Sequence, residues 1–137
     1  YTSLRYSDAI SLEWKHLKVI GDRDFIVIEQ KKTENEVTIP LSKKALAILD
    51  CRWGIDNKKV FDFVSNQKLN YNLKTISSMA GIEKIVTTHI ARHSFASIAA
   101  IRGKDLYKIS KIMGHKSITV TQKYAKLHDV SLCDVVD

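Results

Sequence analysis

The feature that most constrains this chain is the place where its hydrophobic rhythm changes. Between Leu17 and Ile39 apolar and polar residues alternate in three short runs, Leu17 to Ile20, Phe25 to Gln30 and Glu36 to Ile39. Period-two alternation describes strands with one buried face. Gly21-Asp22-Arg23-Asp24 and Lys31-Lys32-Thr33-Glu34-Asn35 supply the turns between them, so neighbouring strands pair antiparallel. Pro40 lacks an N–H and is expected to stop the last strand. After it the rhythm becomes helical. Ser42 caps a helix to Leu49, and beyond Lys59-Val60-Phe61 helices are expected at Leu69 to Ala80, Thr88 to Ile101, Asp105 to Met113 and Ser117 to Lys126, with a short one near Val130 to Val136. Ser7 reads as the N-cap of an earlier short helix through Ile10 to Leu12. Gly81, Gly103 and Gly114 fall where helix ends need them. The class that follows is α+β, mostly α-helical, with a small three-stranded antiparallel sheet beside a helical bundle.

With 137 residues, 45% of them hydrophobic, the chain is one folded domain with a real core. Its formal net charge of +7 suggests a polyanionic partner, nucleic acid first and an acidic membrane surface second. Cys51 and Cys133 stand far apart and form neither a disulfide framework nor a zinc knuckle, which suggests a reducing, intracellular setting. No apolar run approaches the length of a membrane span. The chain opens at Tyr1, without a methionine or a signal peptide, and is read as a fragment of a longer protein.

Three places carry chemistry. On the helix opened by Thr88, His89, Arg92 and His93 stand at i, i+3 and i+4 and share one face, leaving Ile90, Phe95, Ile98 and Ile101 for the core. Arg92 can grip two oxygens of a phosphate. Taken alone, such a face is more often simply solvated. His89 and His93 have the spacing of a zinc pair, but Ile90 replaces the glutamate of a metalloprotease motif and no third ligand is evident, so no metal site is expected. From Asp105 to Tyr124, an apolar stripe (Leu106, Ile109, Ile112 or Met113) ends at Gly114-His115 and a second helix follows from Ser117. Alone this resembles a helix-turn-helix, with Tyr124 an ordinary core or groove residue. Lys32 lies in a hairpin turn, where a lysine is usually just solvated.

Taken together and in order, these residues resemble the catalytic domain of the tyrosine recombinases, also called the phage integrase family, most nearly the integrases of mobile elements. Residues 2–14, around Arg5, look like the family's first arginine motif. Lys31-Lys32-Thr33 followed by Val37 to Leu41 looks like its lysine hairpin. His89-Ile90-Ala91-Arg92-His93-Ser94-Phe95 fits the His-x-x-Arg box, and Leu106 through Gly114-His115 to Tyr124 fits the last box. The resemblance runs through nearly the whole chain. Ser3 stands where many members have glycine, and Lys31 competes with Lys32, which is favoured by its offset from Pro40. The domain is then residues 1–137, a catalytic fragment lacking the family's N-terminal DNA-clamping domain.

The resemblance implies a site-specific recombinase or integrase acting on double-stranded DNA. Tyr124 would attack a phosphodiester and form a 3′-phosphotyrosyl link, with no cofactor, metal or ATP, since the bond energy is kept in the link. Arg5, Arg92 and His115 would stabilise the phosphate. A phenol is ordinarily protonated at neutral pH, with a pKa of ~10. His89 is the implied acceptor of its proton, and Lys32 the implied acid for the leaving 5′-oxygen. Asp8, one helical turn beyond Arg5, would orient its guanidinium or simply favour the helix dipole. His93 is expected to support the site rather than to react. The tail after the nucleophile, with Val130, Cys133 and Val136 on one side, would dock on a neighbouring protomer in a DNA-bound tetramer, or cap its own domain. The setting implied is a bacterial cytoplasm, with nucleoid association. A non-catalytic helix-turn-helix module and a type IB topoisomerase are the competing readings.

Overall fold

A computed structural model describes residues 1–52 and 58–125. The elements are α1 (Tyr6–Ser11), β1 (Leu17–Ile20), β2 (Arg23–Glu29), β3 (Glu36–Pro40), α2 (Lys43–Asp50), α3 (Asn66–Met79), α4 (Thr88–Ile101), α5 (Leu106–Met113) and α6 (Thr119–Gln122), with a 3-10 turn at Trp14–His16. The architecture is the expected mixed one, a three-stranded antiparallel sheet with helices.

The sheet is a meander in the order β1-β2-β3, with Leu17 opposite Ile26 and Ile28 opposite Val37. Its inward positions, Ile26 and Ile28 on β2 and Val37 and Ile39 on β3, build one core with Leu12, Leu49 and Val60. The strand does stop at Pro40, which is its last residue, opposite Phe25. β3 is an edge strand, so the missing N–H disturbs no ladder.

Helix starts follow side-chain caps. Ser42, Ser65, Thr87 and Asp105 each accept from the backbone N–H three residues on. α3 therefore begins at Asn66 rather than Leu69: the cap at Ser65 precedes a polar first turn that an apolar pattern does not register. Ser7 is not a cap. The N-cap is Arg5, whose carbonyl accepts from Asp8 and Ala9 at 3.1 and 2.9 Å, and Ser7 lies inside the helix.

A second core joins the helices, made of Ala96, Ala100, Ile109, Met113 and Tyr124. The buried stripe of α4 is Arg92, Ala96 and Ala100, at i, i+4 and i+8. Ile90, Ile98 and Ile101 are exposed, against expectation. Alanines let the α5 backbone approach closely, which a row of isoleucines would prevent. α6 is the single turn Thr119–Gln122, where a helix is expected to begin at Ser117; its expected end, Lys126, lies outside the described residues. Within that turn Thr121 directs its hydroxyl to His115. The expected helix near Val130 to Val136, with Cys133, lies outside the described residues. Among those residues, no helix is long and apolar enough to cross a membrane.

Candidate active site

Arg5 and Arg92 lie 87 positions apart in sequence and converge on one polar cluster. Arg5 sits at the mouth of α1, and its guanidinium donates to Gln30 Oε1. Arg92 is on the inner face of α4, buried, and donates to Ser3 O at 2.5 Å and to Met113 O, which terminates α5. Burial first, then the charge of Arg5, pushes the Arg92 pKa down to about 10, so it stays cationic at neutral pH. Asp8 is completely buried. Its Oδ1 accepts from the Lys31 backbone N–H at 3.1 Å, and Oδ2 lies 3.9 Å from Arg5 Nη1. One carboxylate thus pins the β2–β3 hairpin and sits against the first arginine.

Arg5, Arg92, Lys32 and His89 line one cleft of about 260 Å³, with Tyr6, Ser7, Asn66 and Thr88. Three cations line this small hollow, a setting suited to a phosphate. Lys32 is exposed at its rim. Lys31 does not line it.

Ser3 explains one departure noted in the sequence. Its φ is +55°, in the left-handed region, and this turns its carbonyl toward Arg92. Its buried hydroxyl has no hydrogen-bond partner among the described residues.

Tyr124 is buried in the helical core. Its hydroxyl is hydrogen-bonded to His93 Nδ1, and His93 Nε2 lies 2.8 Å from His89 Nε2. The spacing of His89 and His93 on α4 thus produces a chain from the phenol through His93 to the exposed His89. His93, expected only to support the site, is the histidine in contact with the phenol. Burial, then Lys123, His89 and Arg92, hold its pKa below the ordinary histidine value, so it is neutral at pH 7 with a lone pair to accept a proton. His115 follows Gly114, whose φ of +61° turns the chain out of α5. Its Nδ1 is 2.7 Å from Thr121 Oγ1. Burial, then Arg92, Arg5, Lys123 and His93, push its pKa to about 4. With Thr121 donating to Nδ1, the neutral ring presents Nε2–H as a donor.

Gln30 is the residue that sequence reasoning missed. It is fully buried, bonded to Arg5, to Thr33 Oγ1 at 3.1 Å and to Met113 O at 3.3 Å. The signal was present: Ile26, Ile28 and Gln30 share the inward register, and a polar group in that register has to be satisfied inside. Among the described residues, no group of three or more His, Cys, Asp or Glu side chains is arranged to hold a metal ion.

The geometry has a counterpart in sequence. The pattern of the Phage integrase family matches residues 1–130. The chain belongs to this family. It is 33% identical over 136 residues to tyrosine recombinase XerC of Rickettsia massiliae (strain Mtu5), and 34% identical over 134 residues to that of Rickettsia prowazekii (strain Madrid E). These alignments cover 91% and 90% of this chain and 43% of each relative, so the chain spans less than half the length of the curated relatives it matches. The crystal structure of XerA recombinase superposes with a TM-score of 0.73 at 27% identity, over 98% of this chain and 53% of that one. The catalytic domain of bacteriophage HP1 integrase shares the fold with a TM-score of 0.71 at 24% identity, over 98% of this chain and 74% of that one. XerH site-specific recombinase bound to its difH substrate shares it with a TM-score of 0.77 at 20% identity, over 99% and 42%.

Proposed function

We propose that this chain is the catalytic domain of a site-specific DNA recombinase or integrase that cleaves and rejoins strands through a 3′-phosphotyrosyl link on Tyr124. The observation that carries the reading is the cleft lined by Arg5, Arg92, Lys32 and His89, with His89 joined through the neutral His93 to the Tyr124 hydroxyl. Membership of the family and the DNA-bound relatives support it. A transposon integrase, that of Tn1549, has been seen with transposon right end DNA and shares the fold with a TM-score of 0.75.

In this reading Arg5 and Arg92 bind the non-bridging oxygens of a phosphodiester and stabilise the charge of the pentacoordinate transition state. His115 Nε2–H adds a third donor. Tyr124 Oη attacks phosphorus, and its proton passes to His93 Nδ1, with His89 positioned to take up the charge through Nε2. The P–O5′ bond breaks as the P–O(Tyr) bond forms, and Lys32 gives the leaving 5′-oxygen its proton. The attack of a 5′-hydroxyl on the phosphotyrosine reverses these steps, so bond energy is conserved and no cofactor is consumed. Asp8 orients Arg5 and the hairpin that carries Lys32. The full protein would work as a DNA-bound tetramer in a bacterial cytoplasm, on the nucleoid, held together through the tail beyond Lys126.

The test is covalent trapping. The complete protein is mixed with nicked suicide DNA in EDTA, denatured and digested, and the adduct is located by mass spectrometry. The expected result is an adduct on Tyr124, lost in Tyr124→Phe while DNA binding remains. Salt-sensitive binding without any adduct refutes the reading and favours a non-catalytic DNA-binding module. An adduct with DNA relaxation but no exchange of partners favours a type IB topoisomerase.

A further inference from the structure

Gln30 has no part in the steps above, yet it joins both arginines. Its Oε1 accepts from the Arg5 guanidinium, and its Nε2 donates to Met113 O. That same carbonyl accepts from Arg92 Nη2. One planar amide and one backbone carbonyl therefore link two guanidinium groups that lie 87 positions apart in the chain. The neighbouring position is shaped to fit the amide: a Cβ on Gly114 would lie 2.5 Å from Gln30 Cδ and 2.8 Å from its Nε2.

We propose that Gln30 is a positioning residue that sets both arginines for one phosphate, and that it is an uncharged amide so that the pair keeps its positive charge for that anion. The inference rests on the strand-transfer reading and goes beyond it. A buried guanidinium has to have its N–H groups accepted. Carboxylates would satisfy them but would also cancel the charge the phosphate needs. Here the acceptors are neutral: Gln30 Oε1, Ser3 O and Met113 O. Among the described residues, the carboxylate paired with these arginines is Asp8, 3.9 Å from Arg5. The amide also does what a carboxylate cannot, accepting from Arg5 on one side while donating to Met113 O on the other.

The test compares the complete parent protein with Gln30→Leu and Gln30→Glu. Single-turnover cleavage is measured at saturating suicide DNA, with affinity for the same DNA measured alongside. Leu removes the links at similar size. Glu keeps the acceptor and the shape but adds charge, and it serves even if the Leu variant folds poorly. The expected result is cleavage slower by about tenfold or more in both variants, with affinity within about threefold of the parent, because phosphate contacts elsewhere dominate binding. Parental rates in both variants overturn the inference while leaving the strand-transfer reading intact. Parental rate in Gln30→Glu alone overturns the argument from charge. Rate and affinity falling together in Gln30→Glu reduce Gln30 to a structural residue. No adduct on the parent itself overturns the reading and this inference with it.

Discussion

The contact between Gly114 and Gln30 can be tested in the folded domain without DNA. Gly114 has φ of +61°, and a Cβ there would run into the Gln30 amide. Gly114→Ala therefore carries two costs. A left-handed backbone at a residue with a Cβ costs about 1–2 kcal/mol, and forcing atoms into a filled interior costs about 1–3 kcal/mol more. The sum is about 2–5 kcal/mol. Gly103 provides the control: its φ is +65°, but a Cβ there meets nothing within 4 Å. Gly103→Ala should cost only the backbone share. In urea, with a slope of about 1.5–2 kcal/mol/M, Gly114→Ala should lower the unfolding midpoint by about 1–3 M and Gly103→Ala by about 0.5–1 M. Truncating the obstacle completes the cycle. In a Gln30→Ala background, Gly114→Ala should cost no more than Gly103→Ala does, a coupling of about 1–3 kcal/mol. Equal costs for Gly114→Ala in both backgrounds would show that the amide does not occupy the space beside Gly114, and the packing argument for Gln30 would fail.

Other consequences follow from single residues. Ser3→Gly should stabilise the domain by about 1 kcal/mol in the same urea assay, since it relieves a positive φ and removes a buried, unpaired hydroxyl; destabilisation would contradict both points. Arg92→Lys should cost about 1–3 kcal/mol, because an ammonium cannot span Ser3 O and Met113 O as the guanidinium does, and should cut adduct formation by about a hundredfold; a parental rate would exclude Arg92 from the phosphate. His115 titrates at about 4 in the fold, below the ordinary 6.5 of the unfolded chain, so the unfolded state binds the extra proton between those values. Its contribution to stability is complete above pH 6.5 and is lost as pH falls toward 4. The difference between urea midpoints at pH 7 and pH 4.5 should therefore be smaller in His115→Gln than in the parent, and an unchanged difference would argue against a buried neutral ring. Asp8→Asn should weaken the hold on the Lys31 N–H, seen as faster hydrogen exchange at that amide.

Local chemistry made much of this protein legible. The strands were readable because alternation and turn residues act over a few positions, and α4 was placed over Thr88–Ile101 because an amphipathic run opened by Thr88 marks it, although the capping side chain is that of Thr87. The ordered motifs around Arg5, Lys32, His89, Arg92, His115 and Tyr124 identified the family, since each motif is a local string. The errors also have local causes. Ser7 carries a cap's chemistry two residues after the true N-cap, Arg5, and the polar first turn after Ser65 hid the start of α3.

The sequence by itself determined the elements, their order and which residue types carry the chemistry, because those depend on neighbours along the chain. Only the tertiary structure decided which of them touch. Packing chose Ala96 and Ala100, not the isoleucines, as the inner face of α4, because two helices had to come close. That rotation buries Arg92 beside Ser3 and Met113 and turns His93 rather than His89 to the Tyr124 hydroxyl, while Gln30, the residue after β2, reaches Arg5. Gln30 shows the division most plainly: its inward register is written in the strand, but its partners lie 25 residues before it and 83 after it, and no local pattern specifies contacts at that distance.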